Sequence, residues 1–276
     1  MKIAFGMIIF NTDFVLKECL SSVYDFADQI LIAEGPVTFW QNQGYTTSVD
    51  STNEILHSFP DPNNKIKIVH RQYSEKDEQC NSYMSLLNND IDYIWNLDSD
   101  EIFKKEDIDK LLTIIEQNNI TSVAFKSLTF YGGFDHYLTG FEEAADFHRI
   151  SKVYPGAKWA THRPPTIANP PWRKVHLDSN FLANIGIKMY HYSYVFPRQV
   201  QEKVFYYKQA ISRDNCIDNY YEEIFLPWTN GNNEQKRIIE EKWQGVHEFK
   251  PSYRGSCYTT KFLGEHPNII KEKFNL

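Results

Sequence analysis

The sequence predicts an α/β fold: a Rossmann-like sandwich with a mostly parallel central sheet flanked by helices, followed by a more irregular C-terminal region. Two observations predict it. Short apolar runs alternate with stretches of helical periodicity through the first 130 residues. Alternation of strands with helices of this length implies parallel βαβ units. Polar clusters also recur where the apolar runs end, as they do where such sheets bind ligands.

Residues 2–10 are a continuous, Ile-rich apolar run of the kind shown by a strand buried on both faces. Asn11-Thr12-Asp13 offers helix caps, and residues 14–26 carry Val15, Cys19, Leu20 and Val23 at helical spacing. Residues 29–33 form a second strand, ending at Glu34-Gly35-Pro36, and 51–59 a second helix with Ser51 or Thr52 near its cap. A third strand at 66–70 leads to a third helix at 77–87. Residues 91–97 form a fourth strand that runs straight into Asp98-Ser99-Asp100-Glu101. A fourth helix at 105–117 and a fifth strand at 122–130 complete the pattern. Right-handed crossovers place helices on both faces of such a sheet. Three polar clusters then fall at strand ends: Asn11 with Asp13, Glu34, and Asp98 with Asp100 and Glu101.

Beyond Gly132 the pattern loosens. Gly132-Gly133, Pro155-Gly156, Pro164-Pro165 and Pro170-Pro171 mark loops through residues 131–186. A late strand at 187–194, a helix at 199–212 with Val200, Val204, Tyr207 and Ile211 on one face, and a helix at 234–243 follow. The expectation is a single catalytic domain over 1–276, with a nucleotide-binding half at 1–130 and an acceptor-binding half at 131–276.

Bulk properties narrow the function classes. The 276 residues, 42% apolar, suffice for one good core. A net charge of −7 argues against a nucleic-acid partner, which needs a broad basic surface. The aromatic content of 15% suits the apolar faces of sugar rings and equally suits a core. Cys19, Cys80, Cys216 and Cys257 are far apart, without CxxC spacing, so reduced thiols are expected rather than zinc or disulfides. The N-terminal MKIAFGMIIF lacks the features of a signal peptide, and no run approaches the ~18 apolar residues of a membrane span. A soluble, cytoplasmic protein without a transmembrane segment is therefore expected.

The chemistry concentrates at residues 91–101, where a buried strand delivers carboxylates at its carboxyl end. Asp98 and Asp100 point the same way only if the chain stays extended. If it turns, one can contact a ribose while the other takes a metal. Hard oxygen ligands of this kind select Mg²⁺ or Mn²⁺, which keep positions for water and substrate phosphates. A DxD in an acidic loop can also merely cap a helix; its place at a strand end, after three βα units, favours a site.

Residues 7–35, the Asp50-Ser51-Thr52-Asn53-Glu54-Ile55-Leu56 stretch and 93–101 resemble family 2 glycosyltransferases of the GT-A fold. The resemblance covers the first 130 residues well and the remainder thinly. It implies transfer of a sugar from a nucleotide diphosphate donor to a glycan or other hydroxyl acceptor, usually with inversion. By position, Asp100 is implied as the principal metal ligand and Asp98 as a ribose or metal contact. Glu34 stands where the family usually has an Asp that contacts the base, and Asn11 and Asn81 join the donor-binding set. Ala33-Glu34-Gly35 replaces the commoner Asp-Asp-Gly, and Cys80 replaces an Arg beside Asn81. His191, in Met189-Tyr190-His191-Tyr192-Ser193-Tyr194, resembles a His that completes the metal shell or touches the diphosphate; a His hydrogen-bonded among tyrosines is the alternative. His162 resembles a second His-bearing position, before the acceptor loop.

An inverting transfer needs a base for the acceptor hydroxyl, and a carboxylate tuned by burial would serve. Glu142, Glu143 and Asp146 are the candidates, with Asp146 favoured because it lies near Arg149 in sequence. Arg163, Arg173 and Lys174 among Trp159, Pro164, Pro165 and Trp172 form a small basic set: Arg163 suits a donor phosphate, and Trp172 suits stacking on an acceptor sugar. Two other functions compete. A nucleotidyltransferase would carry a Gly-rich, basic loop after the first strand, which Phe10-Asn11-Thr12-Asp13-Phe14 lacks. A non-catalytic carbohydrate-binding protein would bind sugar without nucleotide.

Overall fold

A computed structural model describes residues 1–211 and 213–276. Along the chain run β1 (Ile3–Ile9), α1 (Leu16–Val23), β2 (Gln29–Glu34), α2 (Thr38–Gln41), α3 (Thr52–Ser58), β3 (Ile66–His70) and α4 (Lys76–Met84). Next come β4 (Tyr93–Asn96), β5 (Glu101–Ile102), α5 (Lys105–Gln117), β6 (Ser122–Phe125), β7 (Ser127–Tyr131), β8 (His136–Leu138) and α6 (Phe141–Ala144). Then follow β9 (Phe147–Lys152), β10 (Trp159–His162), β11 (Pro165–Ile167), β12 (His176–Leu177), α7 (Ser179–Asn184) and β13 (Met189–Tyr194). The chain ends with α8 (Pro197–Tyr206), α9 (Leu226–Asn230), α10 (Asn233–Trp243), α11 (Pro251–Arg254), β14 (Thr259–Lys261) and α12 (Asn268–Phe274). It divides into two compact units: residues 1–126, 146–189 and 267–276, and residues 127–145 and 190–266.

The first unit is the α/β body expected from the sequence. Its strands lie in the order β12–β6–β9–β4–β1–β2–β3. The pairs β4/β1, β1/β2, β2/β3 and β12/β6 are parallel, and β9 alone runs antiparallel, between β4 and β6. The continuous apolar runs are the fully buried strands: every residue of β2 and β4 is buried. On α1, Leu16, Cys19, Leu20 and Val23 are wholly buried, as the 3.6-residue period required.

Three expectations need correction. Asn11 and Asp13 do not cap α1, whose N-cap is Val15 without a side-chain bond. The backbone turns through a positive φ of 48° at Asn11. The Asn11 side chain therefore accepts Val49 N at 2.9 Å and that of Asp13 accepts Ser51 N at 3.2 Å, tying both to the loop before α3. The strand expected over 122–130 breaks at Lys126 into β6 of the first unit and β7 of the second. No Gly, Pro, Asn or Asp marks the break, so the run reads as one strand. Finally, the region read as irregular contains β9, a full member of the central sheet. Its sequence, Phe-His-Arg-Ile-Ser-Lys, buries an arginine beside its one aliphatic side chain, Ile150.

In the second unit the strands lie in the order β14–β8–β7–β13. Helix α8 opens with Pro197 in its first turn and passes into a wider turn at Tyr207–Ile211. Ser212, the expected end of that helix, lies outside the described residues. The core of this unit is aromatic: Tyr131, Tyr194, Tyr220, Phe225 and Trp228 pack with Leu138, Val200 and Val246. The helix expected at 234–243 is α10, closed by a reciprocal Asn232–Gln235 capping box. Among the described residues no helix is long and apolar enough to cross a membrane.

Candidate active site

The acidic segment stands at the carboxyl end of β4, in the middle of the first unit's sheet. There the chain turns rather than staying extended. Glu101 N donates to Asp98 O at 3.1 Å, and Asp98 N donates back to Glu101 Oε2 at 3.2 Å. Asp98 and Asp100 are half-buried at the tip, whereas Glu101 is fully enclosed. The buried Glu101 carboxylate is paired by Arg149 of β9, whose Nε lies 3.0 and 2.8 Å from its two oxygens and whose NH2 group also reaches it. The same NH2 donates to Asp98 Oδ2 at 3.0 Å. Burial alone would lower the Arg149 pKa, but Glu101 and then Asp98 outweigh it and hold it above the ordinary value. Arg149 thus fixes the turn and takes one oxygen of Asp98. On the other side Thr12, after β1, hydrogen-bonds Ser99.

The ends of β1, β2 and β3 converge on residues 47–49. Glu34, at the end of β2, is 1% exposed. Its Oε1 accepts Ser48 N at 2.8 Å and the Thr47 hydroxyl at 3.2 Å, and its Oε2 lies 3.1 Å from His70 Nδ1. Asn11 N donates to Ser48 Oγ at 2.9 Å. Gly35 has φ 141°, and a Cβ there would lie 1.9 Å from the Arg71 carbonyl oxygen. Only glycine lets these two chain segments pass after Glu34. The Glu34 carboxylate and the Asn11 carboxamide oxygen therefore shape this loop.

Helix α4 carries the next group. Asn81 uses its whole carboxamide: Nδ2 donates to Asp77 O and Trp159 O, both at 3.1 Å, and Oδ1 accepts Trp159 N at 2.9 Å. It anchors the antiparallel β10–β11 hairpin. Trp159 is buried, and its Nε1 donates to Tyr83 Oη at 2.9 Å, which in turn donates to Asn96 Oδ1 on β4. His162 closes β10, its Nδ1 2.5 Å from Asp77 Oδ1, and its backbone N donates to the same oxygen at 2.7 Å. Arg163 follows, exposed, near enough to Arg149 to oppose its charge. Trp172 is half-buried beneath Lys152, whose Nζ lies 5.4 Å from the ring centroid, and beside Tyr154. Arg173 and Lys174 are exposed.

Asp146 also belongs to the first unit, exposed, accepting Lys126 Nζ at 2.8 Å and the Ser179 hydroxyl at 2.5 Å. The hydrogen bond from Lys126, then that from Ser179, hold its pKa below the usual carboxylate range, which makes it a weak proton acceptor.

In the second unit two residues selected for different reasons meet. Thr129 of β7 donates to Glu142 Oε1 at 3.1 Å and lies 3.4 Å from His191 Nδ1. Glu142 is buried on α6 while Glu143 is exposed. Behind Glu142, His247 Nε2 lies 3.9 Å from its Oε2, and His247 Nδ1 lies 3.0 Å from Glu248, which also accepts the Tyr194 hydroxyl at 2.6 Å.

Among the described residues no group of three or more His, Cys, Asp or Glu is gathered to hold a metal. A pair of aspartates at one turn is what the tip itself offers. Arg149, Asp77 and His70 were not selected from the sequence. Each is a polar residue whose role is set by a partner far along the chain, and periodicity carries no such signal.

Residues 46–166, a stretch that includes Asp98, Asp100, Arg149 and His162, match the family model described as Glycosyl transferase family 2. No curated protein matched the chain. Among solved structures, S. aureus TarS 1–349 is similar at 15% identity over 74% of this chain and 63% of that one, with a TM-score of 0.42. The same protein in complex with UDP-GlcNAc gives 16% identity over 49% of this chain and 36% of that one, with a TM-score of 0.36. A 4-diphosphocytidyl-2C-methyl-D-erythritol synthase from Anaerococcus prevotii gives 13% identity over 46% and 56%, with a TM-score of 0.32. This chain spans less than two thirds of the length of each.

Proposed function

We propose that the protein is a glycosyltransferase that moves a sugar from a nucleotide diphosphate donor to a hydroxyl acceptor, with inversion at the anomeric carbon. One observation carries the reading. Inside the family 2 segment, a fully buried parallel strand ends in a turn that presents Asp98 and Asp100 at the carboxyl edge of the sheet. A Mg²⁺ or Mn²⁺ ion fits this donor set, since such ions are held by one or two carboxylates and completed by substrate phosphates and water. Asp100 and Asp98 would hold it. When bound, the ion supplies positive charge to the departing diphosphate. Asp98 and the loop that Glu34 and Asn11 shape would position the donor's ribose and base. Arg163 adds positive charge at the same edge.

The test is calorimetric titration of nucleoside diphosphates with and without Mn²⁺, together with turnover of the matching nucleotide sugars. Asp100→Ala is expected to abolish the Mn²⁺-dependent part of binding and to lower transfer by at least about 100-fold. The melting temperature should change little, since Asp100 is not in the buried pair. Full activity in that variant, or sugar binding with no nucleotide affinity in the wild type, refutes the proposal.

A further inference from the structure

Inverting transfer requires a group that takes the proton from the acceptor hydroxyl, and it must sit near the reacting carbon, unprotonated, at working pH. Asp146 is exposed, bound by Lys126 and held ionised. The first unit contains a better arranged group, and it is not a carboxylate. His162 and Asp77 form a carboxylate–imidazole dyad: Nδ1 to Oδ1 is 2.5 Å, and the His162 backbone N donates to the same oxygen at 2.7 Å.

The local fold explains the pairing. Asp77 lies in the first turn of the nine-residue α4, where a carboxylate is favoured by the helix dipole. Asn81, one turn on, grips both backbone polar groups of Trp159 and sets the hairpin's register against the helix. Two different groups on α4 therefore fix the position and orientation of the His162 ring. The dyad also belongs to the acidic tip's end of the sheet. Trp159 of the hairpin donates to Tyr83 of α4, which donates to Asn96 at the end of β4, two residues before Asp98. Arg163, the next residue after His162, opposes Arg149, which holds Asp98.

A neutral imidazole that donates Nδ1–H to a carboxylate presents a lone pair at Nε2. His162 Nε2 makes no hydrogen bond with the described residues, and the side chain is 23% exposed, so it is within reach of a bound molecule. We propose that His162 is the catalytic base of the transfer and Asp77 the positioning residue that holds its Nδ1–H tautomer. This rests on the glycosyltransferase reading above. In the step, the acceptor hydroxyl proton passes to His162 Nε2 and the hydroxyl oxygen's electron pair forms the bond to the anomeric carbon. The bond from that carbon to the diphosphate oxygen breaks, and its electron pair leaves with the nucleoside diphosphate. The imidazolium formed faces Asp77 and later gives its proton to water.

The surroundings keep the base unprotonated. Burial lowers the His162 pKa most; Asp77 raises it, and Arg163 and Lys76, the other charged groups facing it, lower it again, with the net effect below the ordinary value. The transfer rate should therefore hold its plateau through neutral pH and fall only under acid conditions.

The experiment measures the pH dependence of kcat and KM for wild type, His162→Gln and Asp77→Asn, with nucleoside diphosphate affinity followed in parallel by calorimetry. In Asp77→Asn the amide can donate to Nδ1, forcing the proton onto Nε2. Both variants should lose about 10²–10⁴-fold in kcat, lose the acid limb of the profile, and keep nucleotide affinity within about threefold. In wild type, nitrogen-15 NMR of the ring should show the Nδ1–H tautomer, with titration below 6.5. A kcat within about threefold of wild type in His162→Gln, or an Nε2–H tautomer, overturns the assignment while leaving the transferase reading intact. Wild-type protein that turns over no nucleotide sugar overturns both.

Discussion

Replacing Arg149 by Met would test whether the acidic turn depends on its buried partner. Glu101 is 0% exposed, and both the Nε and an NH2 group of Arg149 bond its carboxylate. Deleting the guanidinium takes the Arg149 countercharge from a buried carboxylate, and removal of one member of a buried pair costs about 3–5 kcal/mol. Asp98 loses a bond too, but its side chain is 31% exposed, so water takes up most of that loss. For a chain of this size about 1 kcal/mol corresponds to roughly 2–4 °C, so the melting temperature should drop on the order of 6–20 °C.

The control is the double variant Arg149→Met with Glu101→Met. With both charges gone and similar volume retained, most of the stability should return, because the pair's attraction mainly offsets its own desolvation. Thermal melts of wild type, both single variants and the double variant form a complete cycle. A single-variant cost under about 1 kcal/mol, or a double variant no better than Arg149→Met alone, would refute the reasoning. The double variant should still transfer poorly, since the 98–101 turn loses the Asp98 N to Glu101 bond that shapes it.

Gly35→Ala forces a Cβ to within 1.9 Å of the Arg71 carbonyl at φ 141°; a loss of about 2–5 kcal/mol is expected, read by urea denaturation. Asp146→Asn should cost less than about 1 kcal/mol at neutral pH and leave transfer within about threefold. Its folded pKa is depressed, so its contribution is present above the unfolded carboxylate pKa and fades as pH falls through the folded one. Stability curves of wild type and Asp146→Asn should therefore converge in acid, and divergence there would be inconsistent with the Lys126 pairing.

The sheet was legible because its strands are buried on both faces: β1, β2 and β4 announce themselves as apolar runs, and the acidic turn stands where the fourth run stops. The central position of β9 was not legible. A strand with one aliphatic residue, Ile150, and a buried arginine has little apolar signature, and the burial of Arg149 makes sense only once Glu101, 48 residues earlier, is placed opposite. The same holds for Glu34 and Asn11. Sequence position marked both as strand-end polar groups, but their partners Ser48, Val49 and His70 lie across loops that no local pattern connects. His162 was selected by resemblance, whereas Asp77, which sets its tautomer, was read merely as the start of a helix.

The charge balance at the tip ties these residues to one chemistry. Asp98, Asp100 and Glu101 bring three carboxylates, and Arg149 brings one guanidinium, so the turn carries an excess of two negative charges. Arg149 pairs the buried Glu101 and also reaches Asp98, so the excess lies toward the half-buried Asp98 and Asp100. A site meant to bind a bare diphosphate would repel it in this state. The same excess equals the charge of one divalent cation, and on the proposed reading a diphosphate bound through such a cation would meet no net repulsion from the tip. Nucleoside diphosphate affinity without added metal should accordingly be weak and should improve in Asp100→Asn, whereas affinity with Mn²⁺ should fall in that variant. A sign reversal of this kind cannot come from general destabilisation, and identical responses with and without metal would show that the turn does not hold a cation.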